Sequence, residues 1–236
     1  MAGLAGLLTI FSACSARQDI MIHADGSGEA DIRITLDPAF STYLTDLAAT
    51  LGTGNDTESD VFDLGLLRRT FEEEPGLTLL DAGIPTPDEL HLLVGFDSLA
   101  TLFALRGSRL GGDFRFERTD TLRRLAVRID RRTIENLVSL VGIDSFVSES
   151  LLPPDGDMTI SEYRDYLVWA LEEYEQDRPI ATVLNDSAVE THVTPDGRIN
   201  QVRGGLRTGS AVVFRTPLLE AVTTRVPLEY SVIFTP

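Results

Sequence analysis

Alternating apolar and polar residues predict strands near both ends of the chain. In residues 29–36, alanine, isoleucine and leucine alternate with charged residues and threonine, which is the pattern of a strand with one buried and one solvent-facing side. Residues 18–24 form a similar run, and Asp25-Gly26-Ser27-Gly28 between the two is typical of a hairpin turn. Further strand-like runs lie near the C terminus, with a turn at 195–197: residues 188–193, 199–202, 210–215 and 225–234.

Apolar residues repeat with helical spacing between these strands. Three segments carry a stripe of apolar side chains along one helical face: residues 38–51, 61–71 and 160–174. Asp37 supplies an N-cap before Pro38 for the first helix. Thr159 and Glu162 fit a capping box for the third helix, which makes it the clearest helical prediction of the chain.

The middle of the chain mixes both patterns. Strands are predicted at residues 77–80 and 90–96, a hairpin at 113–118 and 122–129, and helices from 97 or 98 to 106 and at 134–141. Strands that alternate irregularly with helices predict an α+β fold. In this fold an antiparallel sheet, built largely from the N- and C-terminal hairpins, is covered on one side by amphipathic helices.

The first fourteen residues predict a secretion signal. They carry no charge, contain an apolar stretch from Leu4 to Phe11, and end in small residues before Cys14, which is the only cysteine. The stretch fits a signal peptide and is far shorter than the ~20 apolar residues that span a bilayer. Phe11-Ser12-Ala13-Cys14 resembles the lipobox of bacterial lipoproteins. The resemblance implies a signal peptide at residues 1–13 and a lipid-modified Cys14 that anchors the protein to a membrane.

The alternative interpretation of Cys14 is a small buried residue on an N-terminal apolar strand. We favour the lipoprotein because the apolar run, the small residues and the lone cysteine occur together. Each buried methylene contributes about 0.8 kcal/mol, so that two or three acyl chains anchor a protein stably where one does not. Because no basic residue lies near Met1, as is usual in a signal peptide, we also expect translation to start upstream.

Removal of residues 1–13 leaves 236 − 13 = 223 residues. This length suits one large domain or two small ones, and we predict a single extracytoplasmic α+β domain over residues 14–236 in the bacterial cell envelope, facing the periplasm or the exterior. With Cys14 lipidated, no thiol remains for a disulfide, a nucleophile or a metal ligand.

The charged residues exclude several classes of function. The chain has 37 acidic and 20 basic residues and a net charge of −17, and every basic residue is arginine. The absence of lysine removes the phosphate-loop lysine and Schiff-base chemistry. A chain this acidic is a poor nucleic-acid binder, and anionic lipid repels it unless its charges are segregated. One basic cluster stands out, Arg123, Arg124, Arg128, Arg131 and Arg132, which we interpret as the solvated face of a strand that runs into a helix.

Three short blocks resemble a known envelope family. Residues Ile22-His-Ala-Asp-Gly-Ser-Gly-Glu-Ala-Asp-Ile-Arg-Ile34, Thr194-Pro-Asp-Gly-Arg-Ile199 and Val226-Pro-Leu-Glu-Tyr230 are similar to hairpin and closing strands of the mycobacterial lipoprotein M (LppM-like) family. The resemblance implies a lipidated cysteine ahead of an α/β domain that engages lipidic or glycolipid partners. Members of that family commonly end in a transmembrane helix, whereas this chain ends at Phe234-Thr-Pro236.

No catalytic, cofactor or metal motif is found. Gly95-Phe-Asp-Ser-Leu99 differs from the Gly-Asp-Ser-Leu esterase block by an inserted phenylalanine, and His23, His91 and His192 fall on separate predicted strands. The leading hypothesis is therefore a non-catalytic, lipid-anchored envelope module that binds a lipid or an envelope partner, in a groove or on an apolar face between helices and sheet. The alternatives are an anchored hydrolase that unites His91 or His192 with a distant acid and serine, and a structural assembly subunit.

Overall fold

In the computed structural model, the described residues are 15–51, 61–99, 101, 114–134, 152–153 and 158–236. The strands are β1 (Ser15–Ile22), β2 (Gly28–Thr35), β3 (Leu77–Thr86), β4 (Glu89–Phe96), β5 (Phe114–Arg118), β6 (Arg123–Ile129), β7 (Ala188–Pro195), β8 (Arg198–Arg203), β9 (Leu206–Thr208), β10 (Ala211–Pro217) and β11 (Leu228–Thr235). The helices are α1 (Pro38–Leu51), α2 (Leu64–Glu72), α3 (Ile160–Leu171), α4 (Ile180–Asp186) and α5 (Leu218–Thr223). A single 3₁₀ turn, Glu172–Tyr174, follows α3.

The described strands form two sheets. The large sheet has seven strands in the order β3-β4-β2-β1-β7-β10-β9, and the small sheet has four in the order β5-β6-β11-β8. Strand β1 pairs in parallel with β7. Every other pair of described strands is antiparallel. The α+β class and the predominance of antiparallel pairing are confirmed, whereas the division into two sheets and the parallel pair were not predicted.

The local predictions hold well at the N terminus. Strands β1 and β2 form the predicted hairpin, and His23 and Ser27 close its turn through a backbone hydrogen bond of 2.8 Å. Asp37 caps α1 by accepting a hydrogen bond from the Ala39 amide at 3.1 Å. The capping box of α3 is also present, with reciprocal bonds between Thr159 and Glu162.

Two short helices, α4 and α5, were missed. Each begins after a proline, Pro179 or Pro217, whose side chain provides no cap, so the usual start signal is absent. Other contacts hold α4: Ile180 and Val183 are buried in the core, and the Glu175 carboxylate accepts a hydrogen bond from the Ile180 amide at 3.0 Å. The predicted helices at 97–106 and 134–141 lie mostly outside the described residues; residues 131–134, which are described, are helical.

The turn at Pro195-Asp196-Gly197 carries the chain from one sheet to the other. Strand β7 lies in the large sheet, and β8, two residues later, lies in the small sheet. Gly197 is needed because a Cβ at this position would come within 2.2 Å of the Thr235 carbonyl oxygen. The predicted turn is therefore present, although its two strands do not pair with each other.

One core lies between the two sheets and the helices. Apolar residues at alternate positions of β1, β2 and β4, such as Ile22, Ala30 and Val94, are buried together with Leu67 of α2 and Leu167 of α3. Strands of the small sheet bury residues of the same cluster from their inner side. The opposite side of each sheet, which we call its outer face, carries the polar positions of the alternation.

Candidate functional site

A groove lies between helix α2 and edge strand β3 of the large sheet, and we call it the edge groove. Its volume is about 400 Å³. The side chains that line it come from both elements: Arg68, Phe71 and Glu72 from α2, and residues 77–82 from β3. A groove between a helix and the sheet is the kind of feature that the sequence hypothesis expects.

Local interactions fix the helical wall of the edge groove. Asp63 caps α2 and accepts a hydrogen bond from the Leu66 amide at 2.8 Å. Leu67 and Phe71 then fall one turn apart and are both buried, which holds the helix on the sheet. Arg68 and Glu72 project from the exposed side of the same helix and form its rim.

Irregular pairing shapes the strand wall. The register between β3 and β4 shifts between Leu79 and Asp81, so Leu80 occupies a bulge. As a result, Leu77 and Leu79 lie on the inner side of the strand, whereas the Leu80 side chain is 50% exposed. The edge groove thus has an apolar floor and a rim that carries both signs of charge.

The size and chemistry of the edge groove suit an amphipathic ligand. Ligand pockets are typically about 300–1,000 Å³ with mainly apolar walls and a few polar groups. The edge groove falls in this range of volume, but more of its lining is polar than apolar. Leu77 and Leu79 can cover a short hydrocarbon segment, and Arg68 at the rim can contact an anionic or polar end. Sequence reasoning expected such a groove but did not locate it, because residues 68–82 form the groove only through the packing of α2 on β3 and through the bulge in β3.

Two of the three histidines lie on the outer face of the large sheet. His91 Nε2 lies 3.1 Å from Asp31 Oδ1 on the neighbouring strand. His192 Nδ1 lies 3.6 Å from Asp19, and its Nε2 lies 3.7 Å from Glu190. That Nε2 atom is buried and has no hydrogen-bond partner among the described residues. His23 is exposed in the hairpin turn.

The arginines of this outer face are each matched by a carboxylate. Arg17 donates to Asp19 at 2.7 Å, and Arg33 donates to Asp31 at 3.1 Å. The hydrogen bond from Arg17 is the main reason that the pKa of Asp19 lies below its usual value, with His192 adding a smaller contribution. The face is therefore electrically balanced across strands β1 and β2.

The histidine–carboxylate contacts do not extend to a serine within the described residues. The Ser98 hydroxyl, from the block similar to an esterase motif, bonds the Thr101 hydroxyl at 2.8 Å instead. Both histidines stand on a sheet surface, and neither lines the edge groove. Among the described residues, no three histidine, cysteine or carboxylate side chains are placed to hold a metal ion.

The predicted arginine cluster divides between two sides of β6. Arg123 turns to the hairpin and donates to the Ala24 carbonyl at 2.8 Å. Arg124 and Arg128 are exposed on the outer face of the small sheet, which agrees with a solvated strand that runs into a helix. Two further arginines, Arg115 and Arg203, join them there from other strands. The sequence analysis missed these two, because only the pairing of distant strands brings them together.

Cys14, the predicted lipidation residue, lies outside the described residues. None of the helices in the described part of the chain combines the length and the apolar character that a membrane crossing requires.

The fold and these sites define an α+β domain with two sheets and an open groove at one sheet edge. No family model matches the sequence, and no curated protein matches it. Among solved structures, the folded domain of LppM from Mycobacterium tuberculosis, determined by NMR, is similar to this chain. The TM-score is 0.45 at 11% sequence identity, and the match covers 95% of this chain and 90% of that one.

Proposed function

We propose that this protein is a lipid-anchored cell-envelope module that binds a lipidic, amphipathic ligand in the edge groove without chemical conversion. The groove is the observation that carries the proposal, since it joins an apolar floor at Leu77 and Leu79 to a charged rim at Arg68 and Glu72. The signal-like segment and Cys14 support the proposed location. A tether at Cys14, one residue before β1, would hold the domain next to lipid.

The anchor is tested by intact-mass analysis and cell fractionation of the full chain beside Cys14→Ala. We expect the native protein to carry acyl chains and to enter the membrane fraction, because several buried chains anchor stably. Cys14→Ala should lose both properties. An unmodified, soluble product from both chains would contradict the anchor and leave the groove to be judged separately.

The groove is tested by titration with a fluorescent long-chain fatty acid. Leu79→Glu places a charge on the apolar floor, and we expect affinity to fall by at least about tenfold, since an unpaired carboxylate there must be desolvated when the ligand binds. Thermal unfolding checks that the variant keeps the fold. Leu66→Glu is the matched control, because Leu66 is an exposed leucine of α2 outside the groove lining. Equal affinity in both variants and the unmodified chain would contradict the proposal.

The hydrolase hypothesis keeps one supporting observation, the contact between His91 and Asp31 at 3.1 Å. An acid–histidine pair of this kind activates a serine in hydrolases, provided the serine hydroxyl reaches the ring. Hydrolysis of a p-nitrophenyl ester that His91→Ala abolishes would favour this function over simple binding. If the unmodified chain does not hydrolyse the ester, or if His91→Ala hydrolyses it at the same rate, the hydrolase hypothesis is wrong.

A further inference from the structure

Small residues at the centre of the small sheet create a second cavity on its outer face. Strand pairing aligns four residues in one row across the small sheet: Arg115, Ala126, Ser231 and Arg203. The two central side chains are short and the two outer ones are long. A depression of about 230 Å³ results, with Ala126 and Ser231 at its floor.

Four guanidinium groups surround this depression, which we call the arginine cavity. Arg124 and Arg128 lie two residues before and after Ala126 on the same strand, so the alternation of side chains puts them on its side of the sheet. Together with Arg115 and Arg203, they ring the floor from three different strands.

Carboxylates neutralise only part of this charge. Glu229 contacts Arg203 at 3.2 Å, and Glu117 contacts Arg124 at 3.6 Å. Arg115 and Arg128 form no ion pair with another described residue. The outer face of the small sheet is therefore locally positive in a chain whose net charge is −17.

The balance of charge around the arginine cavity favours an anion. Strand pairing sets Glu117 opposite Arg124 and Glu229 opposite Arg128, so that two carboxylates face a cavity lined by four arginines. A bound anion would offset this excess of positive charge. Guanidinium groups bind phosphate oxygens through paired, charge-assisted hydrogen bonds, and the Ser231 hydroxyl at the floor is a further donor.

We propose that the arginine cavity binds a phosphate-bearing anion. Its volume lies below the range of about 300–1,000 Å³ typical of sites for larger organic ligands, which suits one phosphate group and little more. The cations come from three strands and converge on a floor of short side chains, so the site is a built cavity and not one flexible basic segment. This site is separate from the edge groove and does not depend on the anchor.

The test measures binding of inorganic phosphate and glycerol 3-phosphate to the full chain by calorimetry at low salt. We expect saturable binding that weakens as salt is raised. Arg128→Gln should weaken it by about tenfold, since a charge-assisted contact is lost, and Arg128→Lys by less, since only the paired geometry is lost. Arg33→Gln makes the same charge change on the large sheet and should leave the affinity within about twofold.

A cavity-filling variant separates a built site from diffuse attraction. Ala126→Leu keeps every charge but fills the floor, and we expect phosphate affinity to fall by at least about tenfold. Thermal unfolding of each variant checks that the fold is intact. The proposal is overturned if Ala126→Leu binds as well as the unmodified chain, if Arg33→Gln matches Arg128→Gln, or if the unmodified chain binds neither probe.

Vesicles identify the source of the phosphate group. The full chain with Cys14→Ala, which cannot insert through a lipid anchor, is mixed with phosphatidylcholine vesicles with or without phosphatidylglycerol. Binding that requires phosphatidylglycerol and is lost with Ala126→Leu would assign the cavity to a lipid headgroup. Binding of the small phosphates without binding to these vesicles would assign it to a soluble phosphate, and either result supports the site.

Discussion

The outer faces of the two sheets use arginine in opposite ways. On the large sheet, Arg17 and Arg33 each donate to a carboxylate within 3.1 Å. On the small sheet, Arg115 and Arg128 lack such a partner among the described residues and surround short side chains. The difference does not come from the residues directly across the strands, because Arg17 faces Arg33 whereas Arg128 faces Glu229. On the large sheet each of the two arginines pairs with a carboxylate two residues away on its own strand, whereas on the small sheet four arginines share two carboxylates. The excess of cations leaves the small sheet ready for an anion.

This comparison shows how an acidic chain can still bind anions. The net charge of −17 opposes the approach of any anion over a long distance. At short range the nearby charged groups determine whether an anion is attracted, because salt at moderate concentration screens charges that lie more than about 10 Å away. A cavity that collects Arg115, Arg124 and Arg203 from three strands is therefore compatible with the overall composition.

The largest expected effect concerns the point where the two sheets join. Tyr230 of β11 is buried, its ring lies 5.4 Å from that of Phe214 on β10, and its hydroxyl donates to the Arg215 carbonyl at 3.2 Å. We expect Tyr230→Ala to lower the free energy of unfolding by about 3–5 kcal/mol, because it leaves a large cavity between the sheets. Urea unfolding followed by circular dichroism measures this.

The control for this prediction is Tyr230→Phe. It keeps the ring, removes the hydroxyl and should cost about 1 kcal/mol. If the two faces share one core, amide exchange in β2 and β6 should accelerate together in Tyr230→Ala. Faster exchange in β6 alone would mean that the sheets are independently stable, and the two faces would then belong to separate folding units.

A smaller effect compares one arginine from each face. Arg17→Gln removes the partner of Asp19 and should lower the free energy of unfolding by about 0.5 kcal/mol at low salt, as for an exposed ion pair. Arg128→Gln should change it by less, because Arg128 faces Glu229 across the strands but forms no ion pair with a described residue. High salt should reduce both differences. Urea unfolding at two salt concentrations provides the measurement, and an equal loss in Arg128→Gln would show that both faces are balanced.

Much of the fold could be predicted because its signals are local. The alternation in residues 29–36 fixes which side of β2 is buried, and the Thr159–Glu162 capping box fixes the start of α3. The turn before Gly28 depends on adjacent residues alone. Such features need no knowledge of the remaining chain.

The parts that could not be predicted depend on contacts between distant segments. Nothing in residues 15–22 indicates that β1 pairs in parallel with β7, about 170 residues later. The same applies to Arg115 and Arg203, which face one cavity only because β6 and β11 lie between their strands. The edge groove is a different case: the residues that line it are close in sequence, but its position depends on how α2 packs on β3.

The smallest expected effect is the pH dependence of stability that comes from Asp19 on the outer face of the large sheet. The hydrogen bond from Arg17 holds the pKa of Asp19 below its usual value. A carboxyl with a depressed pKa contributes stability that is complete above its unfolded pKa of about 3.9 and is lost as pH falls through the folded value. Because Asp19 is 40% exposed, we expect this contribution to be smaller than the effect of Arg17→Gln. At neutral pH, Asp19→Asn should therefore be slightly less stable than the unmodified chain, and the two should converge in acid.

NMR titration of the Asp19 carboxyl provides the direct check: its pKa should move up towards the usual value in Arg17→Gln and stay low in Arg128→Gln. A pKa that is ordinary in the unmodified chain, or that responds equally to both variants, would contradict the local pairing on which the contrast between the two faces rests.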